Sequence, residues 1–151
     1  MMIRETLSSA MKEAMKAKDT RRLSTVRMVQ AAVKDRDIAN RGAGKEETSE
    51  DEILQILQKL VKQREESAKI YEEAGRNELA TQEREEIDVL KTFMPEQLSD
   101  EKVAEIVAAI VTETGAAGMK DMGKVMAILR ERYAGQMDFG KASGVIKAQL
   151  S

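Results

Sequence analysis

Apolar residues recur at spacings of three and four through most of the chain, the signature of helices with one buried side. Ile3, Leu7, Met11 or Ala10, Ala14 and Met15 predict a first helix over about 3–18. Asp19 suits the N-cap of a second helix running to about Ala39, with Leu23, Val26, Val29 and Val33 inward. The short link makes these two an antiparallel hairpin. Residues 40–48 carry two glycines and read as an exposed loop. Ser49 and Glu52 have capping-box spacing, and open a third helix marked by Ile53, Ile56, Leu57, Leu60, Val61, Arg64, Ala68 and Tyr71. Gly75 ends it. A fourth helix, about Glu78 to Phe93, has Leu79, Ile87, Leu90, Phe93 and Met94 as apolar positions. Its first half, Thr81 to Glu86, is polar throughout and is expected to protrude.

Pro95 divides the chain. It has no amide proton and disfavours helical geometry at Met94, so the fourth helix should stop there. Ser99 can cap the next helix, with Leu98 and Val103 spaced as a hydrophobic staple. Val103, Ile106, Val107, Ile110 and Val111 form that fifth helix, ending before Gly115. A sixth spans about Met119 to Tyr133, burying Met122, Val125, Met126 and Leu129. A seventh starts at Asp138 and carries Phe139, Ala142, Ile146 and Leu150. The expectation is an all-α protein, with a four-helix module over 1–94 and a three-helix module over 95–151.

Composition sharpens this and removes several chemistries. Among 151 residues 34% are charged and only 3% aromatic, which suits helices. Cysteine and histidine are absent, so disulfides, thiolate chemistry and the usual general base and zinc ligand are excluded. No apolar run approaches the ~20 residues of a membrane span. The basic N-terminus contains Glu5, Glu13 and Asp19 and lacks an apolar signal core, so it reads as part of the fold of a cytoplasmic protein.

Carboxylates cluster on the third and fourth helices (Glu65, Glu66, Glu72, Glu73, Glu83, Glu85, Glu86, Asp88). Without histidine they read as a solvated face with Lys/Arg pairs, and no metal site or cofactor is expected. The glycine-bearing stretches Gly42–Lys45, Gly115–Gly118 and Gly118–Lys124 lack phosphate-loop spacing and a preceding strand, so they read as caps and turns. The methionines read mainly as core filling.

Charge is distributed unevenly. Residues 1–40 hold nine Lys/Arg against five Asp/Glu, residues 41–102 ten against seventeen, and residues 103–151 six against five. Lys12, Lys16, Lys18, Arg21, Arg22 and Arg27 gather around the first hairpin. Lys120, Lys124, Arg130, Arg132, Lys141 and Lys147 lie in the C-terminal module. Such groups can hold phosphates of a structured RNA, and they can equally be a solvated helix surface. The low aromatic content and a pI of about 5.5 favour the second reading on residue chemistry alone.

The ordered set of motifs resembles the YqeY-like proteins of the GatB/YqeY group. Ala14–Asp19 with Arg22–Met28 is similar to the family's opening hairpin. Lys62–Ser67, Glu73–Leu79 and Glu86–Leu90 resemble its third and fourth helices, Met94–Ser99 its hinge, and Asp121–Met126 its C-terminal module. Ala134–Lys141 departs from the family's short basic turn: Gly135 and Asp138 match, while Met137 and Phe139 make it more apolar. The resemblance implies the helical and tail parts of the glutamine-dependent tRNA amidotransferase subunit without the catalytic cradle that binds ATP and magnesium. The implied role is therefore non-catalytic binding of tRNA or of a tRNA-bound protein complex. A carbon–nitrogen ligase activity would belong to the larger assembly. The candidate RNA contacts are Lys120, Lys124, Arg130 and Lys141, with Arg22 and Arg27 second. The alternative is a protein–protein adaptor or homo-oligomer acting through Met119, Met137 and Phe139 of the C-terminal module.

Overall fold

Four of the helices begin where a side chain accepts a free backbone amide, at Asp19, Ser49, Ser99 and Asp138, and two end on a left-handed residue, at Lys18 and Gly115. The computed structural model describes residues 2–151, and the described residues contain helices and no strand. The chain forms two compact units, Met1–Pro95 and Glu96–Ser151.

In the first unit the helices are α1 (Ile3–Ala17), α2 (Thr20–Gly42), α3 (Glu50–Glu73) and α4 (Asn77–Lys91). Asp19 accepts the Arg22 amide at 3.1 Å and starts α2. Ser49 and Glu52 form the full capping box of α3, with the Glu52 amide 3.2 Å from Ser49 Oγ and the Ser49 amide 3.2 Å from Glu52 Oε1. The buried side chains Leu7, Ala10, Ala14, Val26, Val29, Val33, Ile53, Leu57, Val61, Ile87 and Leu90 come from all four helices. Between α1 and α2, Lys18 turns the chain in a left-handed conformation (φ 55°, ψ 34°).

Several sequence expectations give way here. Met15 lies 50% exposed and Leu23 half-buried, so neither belongs to the inward set. α2 runs on to Gly42; residues 41–47 are exposed as expected, but Asn40 within α2 and Thr48 at the far end of the loop are buried and pin it at both ends. A polar clasp explains this. Arg4 Nη1 and Nη2 donate to the Asp37 carboxylate at 3.1 and 2.6 Å, and Nη2 also donates to the Thr48 carbonyl at 3.2 Å. The Thr48 amide donates to Asp37 Oδ1 at 2.9 Å, and Asn40 Nδ2 donates to Glu52 Oε2 at 3.3 Å. On α4, Ala80 is buried and Leu79 faces out at 37%, one position away from the expected register. Between residues 62 and 86, Ala68 and Ala80 alone are buried. The distal α3–α4 hairpin thus has almost no core.

The second unit holds α5 (Asp100–Thr114), a 3-10 turn at Met119–Asp121, α6 (Met122–Arg132) and α7 (Phe139–Leu150). Ser99 Oγ accepts the Lys102 amide at 3.1 Å to start α5, and Gly115 closes it at φ 67°. The core is Val103, Ile106, Val107, Ile110, Val125, Leu129, Met137, Ala142, Ile146 and Leu150, with Leu98 packed beside it. The periodicity starts the sixth helix at Met119, but Met119–Asp121 form a 3-10 turn and α geometry begins at Met122. Gln97 Nε2 donates to the Gly135 carbonyl at 2.6 Å and the Leu98 amide to the Gln136 carbonyl at 2.9 Å. These bonds tie the segment entering α5 to the α6–α7 turn.

Candidate functional site

The 3-10 turn, α6 and α7 carry the basic groups of the second unit. Residues 119–151 contain six Lys/Arg against three Asp/Glu, whereas residues 96–118, including α5, contain one against five. Charge within this unit is therefore segregated by element.

Lys120 is exposed on the 3-10 turn, Lys124 and Arg130 on α6, and Lys141 on α7. None of these four joins an ion pair among the described residues; the pairs in this unit are Lys102–Glu105 and Arg132–Glu113. Lys120 and Lys124 are four residues apart. Lys124 and Arg130 are separated by roughly 120° around α6 and ~9 Å along it, so they do not form one line. The Arg130 guanidinium lies 5.8 Å from the centre of the Phe139 ring, a cation–π contact from the end of α6 to the start of α7. Arg22 and Arg27 belong to the other unit. Arg22 is half-buried with its guanidinium 5.7 Å from the Phe93 ring centre, and Arg27 is exposed on α2.

The apolar turn before α7 serves the fold. Met137 is 4% exposed, in the core, which removes it as a docking residue; Phe139 is half-buried, and Met119 is 46% exposed. Gly135 is buried with φ 76°, which a side chain would strain. Asp138 Oδ1 accepts the Gly140 and Lys141 amides at 2.8 and 3.4 Å, so the start of α7 is already capped by a carboxylate.

Arg132 shows the contrast with its free neighbours. Its Nη1 and Nη2 donate to Glu113 at 2.9 and 3.1 Å. That fork holds the Glu113 carboxyl below the usual carboxylate range and raises the Arg132 guanidinium. Both side chains border a groove of about 480 Å³ with Lys102, Glu105, Ile106 and Tyr133.

In the first unit, the carboxylates of α3 and α4 meet arginines: Glu72 with Arg84 at 2.8 Å, Glu86 with Arg64 at 3.2 Å, and Glu85 with Arg21 at 3.3 Å. Among the described residues no group of three or more Asp or Glu is arranged to hold a metal ion. Glu83 has its carboxyl pushed up, first by burial and then by the nearby Glu86 charge, with Arg64 opposing. Sequence reasoning placed Arg64 on the inward side of α3 without naming its partners, Glu86 and the Met28 sulfur. It missed the Arg4–Asp37–Thr48 clasp, whose members lie up to 44 residues apart and follow no local motif.

The family model described as "Yqey-like protein" matches residues 4–150. A Saccharomyces cerevisiae strain YJM789 protein, "Altered inheritance of mitochondria protein 41, mitochondrial", is 29% identical over 116 residues, covering 72% of this chain and 60% of the yeast protein. Proteins of the same name from Clavispora lusitaniae (29% identical, 96% of this chain, 83% of the relative) and Lachancea thermotolerans (25%, 95% and 76%) align over nearly the whole chain. The chain spans about three-fifths of the length of the first of these relatives. With a family match running from Arg4 to Leu150, the chain belongs to the YqeY-like protein family.

Proposed function

We propose that the protein is a cytoplasmic, non-catalytic helical module that binds tRNA, or a tRNA-bound protein complex, through phosphate contacts from the 3-10 turn, α6 and α7. The observation that carries this reading is the set of exposed cations, Lys120, Lys124, Arg130 and Lys141, in no ion pair among the described residues and carried on elements other than the acidic α5. Phosphate binding needs exposed cations whose charge is not already spent on carboxylates. In this reading the four-helix body and the three-helix tail are separate working parts, with Arg22 and Arg27 as secondary contacts. Amide-transfer chemistry belongs to a partner enzyme.

The test is a tRNA titration at several salt concentrations. Up to four phosphate contacts give a slope of log affinity against log salt of roughly −3. Lys120→Glu with Lys124→Glu should flatten it, while Arg132→Gln, which removes an arginine already paired with Glu113, should change it less. Absent or salt-insensitive binding sinks the RNA reading. ATP hydrolysis by the purified chain that depends on tRNA and an amino acid substrate would overturn the non-catalytic one.

A second reading has one observation of its own: Met119 is 46% exposed beside these cations, as an adaptor surface would require. Co-purification of a protein that survives RNase treatment and is lost on Met119→Ser would favour it.

A further inference from the structure

The distal α3–α4 hairpin is not explained by folding or by the RNA reading. From residue 62 to 86 its buried positions are the small side chains Ala68 and Ala80. Residues 65–88 hold nine Asp/Glu against three Lys/Arg, which repels phosphate. Glu65, Glu66, Glu73, Glu78 and Asp88 are exposed and in no ion pair among the described residues. At the end of α3 the last turn has no basic residue and carries Glu72 and Glu73. Carboxylates there oppose the helix dipole. Glu72 is relieved by Arg84 at 2.8 Å, whereas Glu73 is in no ion pair among the described residues.

In the middle of this acidic surface lies Ile70, 63% exposed. Helical spacing places Glu66 and Glu73 beside it, at i−4 and i+3 on the same outward face, with Gln63 continuing that face. An isoleucine held in water between two carboxylates that form no ion pair among the described residues, with Lys69 the one cation within a turn of both, has the chemistry of one half of an interface.

We infer that the outward face of α3 formed by Glu66, Ile70 and Glu73 docks a basic amphipathic helix of a partner protein. Charge complementarity selects the occupant: an apolar residue covers Ile70 while lysines or arginines on either side neutralise Glu66 and Glu73. Binding would also relieve the unfavourable charge at the end of α3. The four principal cations of the RNA reading, Lys120, Lys124, Arg130 and Lys141, lie in the other unit, and neither Arg22 nor Arg27 is on α3, so this inference stands or falls without it.

The probe is a labelled synthetic amphipathic helix with leucines on one face flanked by lysines, compared with the same helix bearing glutamates. The wild-type protein should prefer the basic peptide by about tenfold at low salt, with the preference shrinking as salt rises. Glu66→Lys combined with Glu73→Lys should invert the preference, and Ile70→Ser should weaken basic-peptide binding by roughly tenfold. All three positions are exposed, and unchanged circular dichroism and melting confirm that the variants fold. Three results overturn the inference. One is absence of a preference in the wild type. Another is basic-peptide binding that the double charge reversal leaves unchanged. The third is concentration-dependent self-association abolished by these same variants, which assigns the face to a second copy of the chain.

Discussion

Two residues show how far side-chain identity can depart from what their surroundings favour. Lys18 occupies the left-handed region at φ 55°, where a Cβ crowds the following carbonyl. Glycine would remove that crowding at some cost in unfolded-chain entropy, so Lys18→Gly should stabilise the protein by up to ~1 kcal/mol in thermal melts. Glu83 is the second case. Burial and Glu86 raise its carboxyl, so the ionised form is disfavoured in the fold. That cost is complete above the folded pKa and disappears as pH falls toward the unfolded value. Glu83→Gln should therefore raise the melting temperature at pH 7, and the gain over wild type should shrink toward pH 4. Neither residue carried a signal in the sequence. The left-handed turn lacks the glycine that marks Gly75 and Gly115, and Glu83 sits within an unbroken polar run.

At the scale of elements, caps and breakers were legible and long-range polar contacts were not. Ser49 with Glu52, Ser99, Asp138 and Gly115 act within a few residues of themselves, and the structure uses each as its local chemistry requires. The 40–48 segment depends on Arg4 in a different helix, and local composition suggested only an exposed loop. The Arg4 hydrogen bonds hold the Asp37 carboxyl well below the usual carboxylate range, against the opposing effect of burial, with further help from Thr48. Such a depressed group contributes its full stability above the unfolded carboxyl pKa of about 4 and loses it as pH falls through the folded value. Asp37→Asn should cost about 2 kcal/mol at pH 7, because it leaves Arg4 and the Thr48 amide poorly paired. Melting temperatures of wild type and variant, measured from pH 7 downward, should converge in acid.

For the molecule as a whole, helical periodicity and the absence of cysteine and histidine delimited the possibilities early. The periodicity points to an all-α chain, and the absent residues remove thiol and imidazole chemistry. They do not give the single-position register of α4, where Ala80 takes the place expected of Leu79, because a nearly coreless hairpin imposes little apolar pattern. The candidate cations were nameable from sequence. Their freedom from ion pairs was not, since Arg132 and Arg130 look alike until Glu113 and Phe139 are placed beside them. Each unit has its own buried cluster, and Leu129 is fully enclosed in the second. Leu129→Ala should cost about 3 kcal/mol. Denaturant unfolding followed by circular dichroism would measure it.

The bonds from Gln97 and Leu98 to Gly135 and Gln136 have a practical consequence for dividing the chain. A fragment cut at the start of α5 would retain every helix of the second unit but lose both partners of the α6–α7 turn. The Gly135 and Gln136 carbonyls would then be left to solvent. A fragment beginning at Glu96 keeps them. In the intact protein the Leu98 amide, although outside any helix, should exchange with deuterium at a rate close to that of the amides inside α5. Fast exchange at Leu98 would move the working boundary of the second unit to Ser99.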